Sequence, residues 1–172
     1  MNETEWREQF LKTVSECCAE GLEAVEYIRA RRVLVGIRRA RKSVSAFWTL
    51  ANAVHLNSQY YSQESSLIDP KAWTLLIHEA RHIQQGWTTA LSIYGELDAW
   101  QLQMKIYKRI TGKQLIPLLE EIISLPLNMD RQNLQHAREL MTQYAGKNYG
   151  ANLLPLYPIG KEIRFWVTRK EN

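Results

Sequence analysis

The string His78-Glu79-Ala80-Arg81-His82 constrains the fold of this chain more than any other stretch, because its chemistry works only on a helix. Residues four apart on an α-helix lie about 40° apart around its axis, so the two imidazoles point the same way and can bind one metal ion. Glu79 lies about 100° from His78, where its carboxylate can take a proton from a water molecule that the metal activates. The string therefore predicts a helix and a metal site together.

The residues around the string predict where this helix begins, where it ends and which face it buries. Asp69-Pro70 is typical of an N-cap followed by the first helical residue, and Gly86 is typical of a C-terminal end. Apolar residues recur at helical spacing on one face, at Trp73, Leu76, Ala80, Ile83 and Trp87. This face lies about 140–220° from His78, so we expect the histidines to point away from the packed side. The alternative is an amphipathic helix with two surface histidines.

Two histidines hold zinc weakly, so a third protein ligand is expected. The segment that follows predicts a second helix, capped by Thr88 or Thr89 and ending near residue 111. Its apolar face consists of Ile93, Leu97, Trp100, Met104 and Tyr107. Glu96 lies about 60° from the centre of that face, whereas Asp98 lies about 140° away and is expected in solvent. A tight helical hairpin places Glu96 opposite the histidines, so Glu96 is the predicted ligand, with Asp98 and His55 as alternatives.

These strings resemble those of gluzincins, the zinc metallopeptidases that carry His-Glu-x-x-His on one helix and a glutamate on a following helix. The matching pieces are His78-Glu79-Ala80-Arg81-His82 and Glu96-Leu97-Asp98-Ala99. The chain departs from the family pattern at Trp100, where an aspartate that supports a zinc-bound histidine often stands. The resemblance covers about 30 residues. The longer strings from His78 to Gly86 and from Tyr94 to Trp100 also look similar to those of uncharacterised bacterial proteins.

The resemblance implies a Zn²⁺ ion held by His78, His82 and Glu96, with Glu79 as the catalytic base and a peptide or protein as the substrate. It also implies that the strand before the active-site helix, residues 54–60, forms the edge along which an extended substrate lies.

The chain has 172 residues, of which 45% are hydrophobic, and this suffices for one domain with a real core. We predict a single zincin-like domain over residues 1–172, of α+β class and mostly helical, with a small antiparallel or mixed sheet. We predict one or two helices over 3–31, with Gly21 as the break, and further helices over 70–85, 88–111, 115–125 and 131–145. Strands are predicted at 33–37, within 44–61 and at 163–167. Loops are predicted at 62–69 and 147–160. The loop tyrosines Tyr149 and Tyr157 are expected to pack near the cleft or over the core.

The net charge of +4 and the pI near 9.1 favour acidic partners without demanding them. Basic residues are concentrated in one run, at Arg29, Arg31, Arg32, Arg38, Arg39, Arg41 and Lys42. A solvated strand edge or turn is the default interpretation of this run, and a patch for nucleic acid or another acidic partner is the alternative.

Cys17 and Cys18 are neighbours in a predicted helix, where their side chains point about 100° apart, so no disulfide is predicted. The acidic N-terminus lacks the apolar segment of a signal peptide, and no apolar run approaches the ~18 residues of a membrane span. We therefore expect a cytoplasmic protein that does not enter a membrane.

The sequence thus predicts a small zinc-dependent metallopeptidase, in which Glu79 assists the attack of water on an amide carbonyl. The first alternative is a catalytically inactive zincin-like scaffold or partner-binding protein. The second is a basic nucleic-acid-binding module in which the string is incidental. The presence of Glu79 favours the enzyme, since catalysis needs this carboxylate and zinc binding alone does not.

Overall fold

The structure, a computed structural model, describes residues 1–146 and 150–169 and has the predicted α+β, mostly helical architecture with a small mixed sheet. The helices are α1 (Glu3–Cys17), α2 (Ala19–Ala30), α3 (Gln63–Ile68), α4 (Pro70–Gln85), α5 (Trp87–Ala90), α6 (Ile93–Thr111), α7 (Pro117–Ser124), α8 (Arg131–Ala145) and α9 (Ile159–Arg169), and the strands are β1 (Leu34–Arg38), β2 (Ala46–Thr49) and β3 (Ala53–Asn57). A 3-10 helix covers Ala151–Leu153. None of the helices in this part of the chain is long and apolar enough to cross a membrane.

The three strands form one sheet in the order β1-β3-β2. β3 lies in the centre, parallel to β1 with Val35 opposite Val54, and antiparallel to β2 with Trp48 opposite Val54. The prediction that residues 54–60 provide a free substrate edge is wrong, because β3 is hydrogen-bonded to a neighbour on each side. The edge strands are β1 and β2, of which β2 lies against α4.

α4 lies between the sheet, α2 and α6. Its predicted start is confirmed, since Asp69 Oδ1 accepts a hydrogen bond from the backbone N–H of Lys71 at 2.8 Å and Pro70 follows the cap. Its predicted end at Gly86 is also confirmed, and there the φ of 74° favours glycine. The two boundaries fix the register of the helix and hence the direction of every side chain on it.

Two hydrophobic clusters form the core, and α6 contributes to both. The first cluster joins α1, α2, the sheet and the predicted apolar face of α4, and its fully buried side chains include Trp6, Phe10, Val54, Leu56, Leu76 and Ala80. The second joins α6, α7, α8 and the segment 151–157, and its fully buried side chains include Ile93, Leu97, Ile122, Leu134 and Met141. Trp87 is the exception on the predicted α4 face, because it lies beyond the helix end and is 55% exposed.

Residues 63–68 form α3 where the sequence predicts a polar loop. Ser62 and Ser65 each accept a hydrogen bond from the other's backbone N–H, which stabilises the first turn. Ser66 Oγ is buried and accepts a hydrogen bond from Trp6 Nε1 at 2.9 Å. The polar composition therefore reflects capping and a buried tryptophan contact, and the loop prediction is wrong.

The predicted final strand at 163–167 is also wrong, because these residues belong to α9. Among the described residues no strand lies next to this segment for it to pair with. Phe165 instead packs against the second core cluster, with its ring 5.9 Å from that of Tyr157. Tyr157 is buried there and caps the core, while Tyr149 lies outside the described residues.

The break between α1 and α2 lies at Cys18 and not at the predicted Gly21. Cys18 has extended backbone, and its Sγ accepts a hydrogen bond from the Gly21 N–H at 3.3 Å as the cap of α2. Because Cys18 is not helical, its Sγ lies 3.5 Å from that of Cys17, closer than helical geometry suggests. Both cysteines are free, as predicted.

α6 is capped by Ser92 and not by Thr88 or Thr89, which lie in α5. Ser92 Oγ accepts a hydrogen bond from the Gly95 N–H at 3.1 Å and donates one to the Thr89 carbonyl at 2.6 Å. Gly95 passes so close to Thr89 that an added Cβ would overlap its carbonyl oxygen. The missing side chain thus allows the first turn of α6, which carries Glu96, to press against the corner that follows α4.

We expect Gly95→Ala to lower the free energy of unfolding by about 1–3 kcal/mol, because the methyl group has no room although alanine is the better helix former. Gly160→Ala in α9 is the matched control, since a Cβ there meets no atom within 4 Å and should stabilise the chain by about 0.5–1 kcal/mol. Urea unfolding of both variants measures the difference. Equal stabilisation by both substitutions would contradict the close approach.

Candidate metal centre

The side chains of His78 and His82 converge one turn apart in the second half of α4. Their Nε2 atoms are 3.0 Å apart, and the two ring planes cross at 80°. Only one of two facing nitrogens can donate a proton to the other, so at least one lone pair is directed into the space between them.

α6 brings Glu96 to the same point from the opposite side. Glu96 Oε1 lies 3.5 Å from His82 Nε2, while Oε2 accepts a hydrogen bond from Trp100 Nε1 at 3.2 Å. The potential ligand atoms of His78, His82 and Glu96 all lie within 4.8 Å of one another. The fold therefore brings together the three residues that the sequence selects as metal ligands.

The donor set and its spacing fit a zinc ion. Two imidazole nitrogens and one carboxylate oxygen, with the fourth position open, are the ligands of many catalytic zinc sites. Ligand atoms at about 2.0–2.2 Å from a tetrahedral ion lie about 3.3–3.6 Å from each other, close to the observed separations of 3.0 and 3.5 Å. Mg²⁺ and Ca²⁺ prefer six or more oxygen ligands and fit this nitrogen-rich set poorly.

Gln85 determines which nitrogen of His82 carries the proton. Gln85 Nε2 donates hydrogen bonds to the Gly95 carbonyl at 3.0 Å and to Asp98 Oδ2 at 2.8 Å. Its Oε1 is therefore the atom that faces His82 Nδ1 at 3.2 Å, and it can only accept. The proton of a neutral His82 thus lies on Nδ1, and the Nε2 lone pair is directed into the candidate site, as ligation through Nε2 requires.

Asp98 acts behind the site and is not a member of it. Its side chain is only 14% exposed, and Oδ2 accepts hydrogen bonds from Arg81 Nε at 2.7 Å and from Gln85 Nε2. The expectation of a solvated Asp98 is wrong, because two α4 side chains enclose the carboxylate. Asp98 thus supports His82 indirectly, through Gln85.

The carboxyl group of Glu79 is buried beside the triad. Burial raises the pKa of Glu79 from 4.5 to about 8, and repulsion by the Glu96 carboxylate adds to this shift. A hydrogen bond from the backbone N–H of Trp48 acts in the opposite direction and holds the carboxylate in place. Glu79 is therefore held against β2, beside the two histidines.

His78 is the more constrained of the two histidines. Burial, together with repulsion from His82, holds the pKa of His78 well below 6.5, and the nearby Ala99 carbonyl and Gln103 side chain offset part of this effect. Neither of these groups forms a well-aligned hydrogen bond with Nδ1, which is buried without a partner among the described residues. A neutral imidazole with a free lone pair results, which is the form that binds metals.

The two histidines are buried, contrary to the expectation of an exposed face. His78 is 5% exposed and His82 is 2% exposed, because β2 and α6 cover the side of α4 that the sequence assigns to solvent. A cavity of about 540 Å³ opens over Glu79 and the triad. Its walls are the segment 41–45 with β2, the helices α4 and α6, the end of α8 and residues 150–154.

His55, an alternative ligand, lies elsewhere. It stands on β3 with its ring 5.2 Å from that of Phe47, and it is not among the described residues that line the cavity. Burial, followed by repulsion from Arg38, lowers the pKa of His55. Packing in the sheet is therefore its role.

The sequence places Gln85 on the histidine face of α4 but assigns it no role, and it assigns Trp48 no role in the site. Gln85 follows His82 by three residues on the same helical face, and this spacing could have indicated it. Trp48 contacts the site across the chain, with its ring 6.2 Å from that of His82 and its N–H on Glu79. No local pattern predicts such a contact between a strand and a helix.

Comparison of the chain with protein-family models, with curated proteins and with solved structures gives no match. The geometry of the site and the chemistry of its donors are therefore what indicates a function.

Removal of the buried charge at position 79 should stabilise the metal-free protein at high pH. The carboxyl of Glu79 has its pKa raised from 4.5 to about 8 on folding, so the stability that the neutral form gives is fully present below pH 4.5 and is lost as the pH rises towards 8. In the presence of chelator, the Tm of Glu79→Gln should exceed that of the wild type by a margin that grows between pH 5 and pH 8 and is constant above. Thermal unfolding of both proteins across this range measures the margin. A pH-independent difference would show that Glu79 titrates normally.

Proposed function

We propose that this chain is a zinc-dependent metallopeptidase of the gluzincin type. The observation that carries the proposal is the convergence of His78, His82 and Glu96 at the floor of a cleft, with the buried carboxyl of Glu79 beside them. Burial of an extra carboxyl group is unfavourable, and zinc binding alone does not need it. The place of Glu79 therefore supports a role in catalysis.

A zinc ion held by the triad supplies a Lewis acid that acidifies a water molecule and polarises the substrate carbonyl. Beside a divalent cation the pKa of Glu79 falls, so its carboxylate can accept a proton near neutral pH. Glu79 takes this proton from the attacking water and delivers it to the amide nitrogen as the C–N bond breaks, which yields a carboxylic acid and an amine. The Trp48 N–H orients Glu79 for both transfers, and Gln85 with Asp98 keeps His82 in its ligating tautomer.

We place an extended peptide along β2. This strand is at the edge of the sheet, and Ala46, Phe47 and Trp48 line the same cleft as the triad. Backbone hydrogen bonds to an edge strand bind peptides with little dependence on side chains. We also propose a cytoplasmic location, where the free Cys17 and Cys18 stay reduced.

Metal content tests the triad directly. Wild-type protein should hold about one zinc ion per chain. Loss of a group that only supports a metal ligand lowers metal affinity by ~10–100-fold. Glu96→Ala removes a ligand itself and should lower the zinc affinity by more than this. Glu139→Ala is the control, because the Glu139 side chain is 78% exposed on α8. Elemental analysis and competition with a zinc-binding dye measure both quantities. A wild type that stays empty when zinc is offered would overturn the proposal.

Substitution of the proposed base separates binding from turnover. Glu79→Gln should retain zinc with wild-type affinity, because the amide replaces a group outside the triad, and should lose hydrolysis of a peptide substrate by about 10²–10⁴-fold. Glu23→Gln on the exposed side of α2 is the matched control. Retained zinc-dependent hydrolysis in Glu79→Gln would exclude Glu79 as the base, and zinc binding without turnover in the wild type would indicate a non-catalytic scaffold.

A further inference from the structure

The cleft over the candidate metal centre is lined by three basic side chains. Arg41 and Lys42 contribute from the segment between β1 and β2, and Lys71 contributes from the first turn of α4. None of the three forms an ion pair with a described residue, and the only carboxylates of the lining are Glu79 and Glu96 at the site itself. The outer part of the cleft therefore carries unpaired positive charge.

Lys71 lies in line with the histidines. Lys71, Leu75, His78 and His82 follow one another at spacings of four, three and four residues, which places them on one face of α4, and all four line the cleft. Seven residues separate Lys71 from His78, so the lysine lies about 10 Å from that histidine along the helix axis. It also stands at the N-terminal end of α4, where the helix dipole adds positive potential.

Arg41 and Lys42 are held in place by a buried side chain, which argues against a freely solvated turn. Asn57 is fully buried, and its Nδ2 donates hydrogen bonds to the Arg41 carbonyl at 3.1 Å and to the Val44 carbonyl at 2.6 Å. Its Oδ1 accepts a hydrogen bond from the Ala40 N–H at 3.1 Å. The backbone that carries the two basic residues into the cleft wall is thus fixed to the end of β3.

We propose that the cleft selects peptides with an acidic side chain about three residues from the scissile bond, with apolar residues between. This inference rests on the proposed peptidase function and names its substrate class. An extended peptide rises about 3.3 Å per residue, so three residues span the distance from the triad to Lys71. Between these points the lining includes the apolar side chain of Leu75, which lies between Lys71 and His78 on the same face of α4. A carboxylate next to Lys71 and the 41–42 pair gains favourable electrostatic energy that a neutral side chain does not.

The test uses three peptides of one apolar sequence, with Glu, Gln or Lys at the third residue on either side of the cleaved bond. With wild-type enzyme, kcat/KM should rank Glu above Gln above Lys, by about threefold to tenfold per step at low salt, and the ranking should weaken at high salt. Lys71→Glu should largely remove the ranking, because the new carboxylate repels the Glu peptide while Arg41 and Lys42 still attract it. Lys12→Glu on α1, whose side chain is 71% exposed, is the control and should leave it unchanged. Equal rates for the Glu and Gln peptides, or equal effects of the two variants, would overturn the proposal.

Binding separates this inference from the proposed function. The same peptides, labelled with fluorescein, are titrated by anisotropy against the zinc-loaded Glu79→Gln protein, with a single-stranded oligonucleotide as competitor. The Glu peptide should bind most tightly. This preference would support the acidic ligand class even if the wild type cleaves none of the peptides. Absence of cleavage would overturn only the peptidase proposal. An oligonucleotide that binds more tightly than the Glu peptide, in a manner that Lys71→Glu abolishes, would assign the cleft to nucleic acid and overturn the inference.

Discussion

The packing of α6 against α4 is the interaction on which the candidate site depends. α4 alone supplies two of the three candidate ligands, His78 and His82, together with Glu79. The third candidate ligand, Glu96, arrives only because Gly95 has no side chain and Ser92 ties the start of α6 to Thr89. The same contact places Asp98 within reach of Gln85, so one helix crossing supplies both the Glu96 carboxylate and the hydrogen bond that orients His82.

Burial of so many polar groups on one helix opposes stability unless each group has a partner. Several have one, since Gln85 links His82 to Asp98 and the Trp48 N–H reaches Glu79. Other groups oppose one another, because the two imidazole nitrogens face each other and the Glu96 carboxylate helps to raise the pKa of Glu79. Opposed polar groups concentrated in a cleft are typical of a functional site.

Helix caps and helical spacing predicted much of the candidate site. They failed for features that depend on contacts between elements distant in the sequence. The boundaries of α4 follow from Asp69 and Gly86, because caps act within one turn. The choice of Glu96 over Asp98 follows from helical angle alone. The burial of His78 could not be predicted from the periodicity of α4, because β2 and α6 cover that face from elsewhere in the chain. The order of the strands could not be predicted either, because β1 pairs with β3 although β2 lies between them in the sequence.

The corner between α4 and α6 limits where residues can be inserted into or deleted from this chain. Both ends of this corner are fixed. Gly86 ends α4, and Ser92 forms hydrogen bonds with Thr89 and Gly95. A single inserted or deleted residue must either break these ties or rotate the start of α6 by about 100°, which would present Gly95 or Leu97 in place of Glu96. Neither residue can bind a metal. The corner is therefore a fixed spacer, whereas the exposed connections before α7 and α8 can gain or lose residues without affecting the centre.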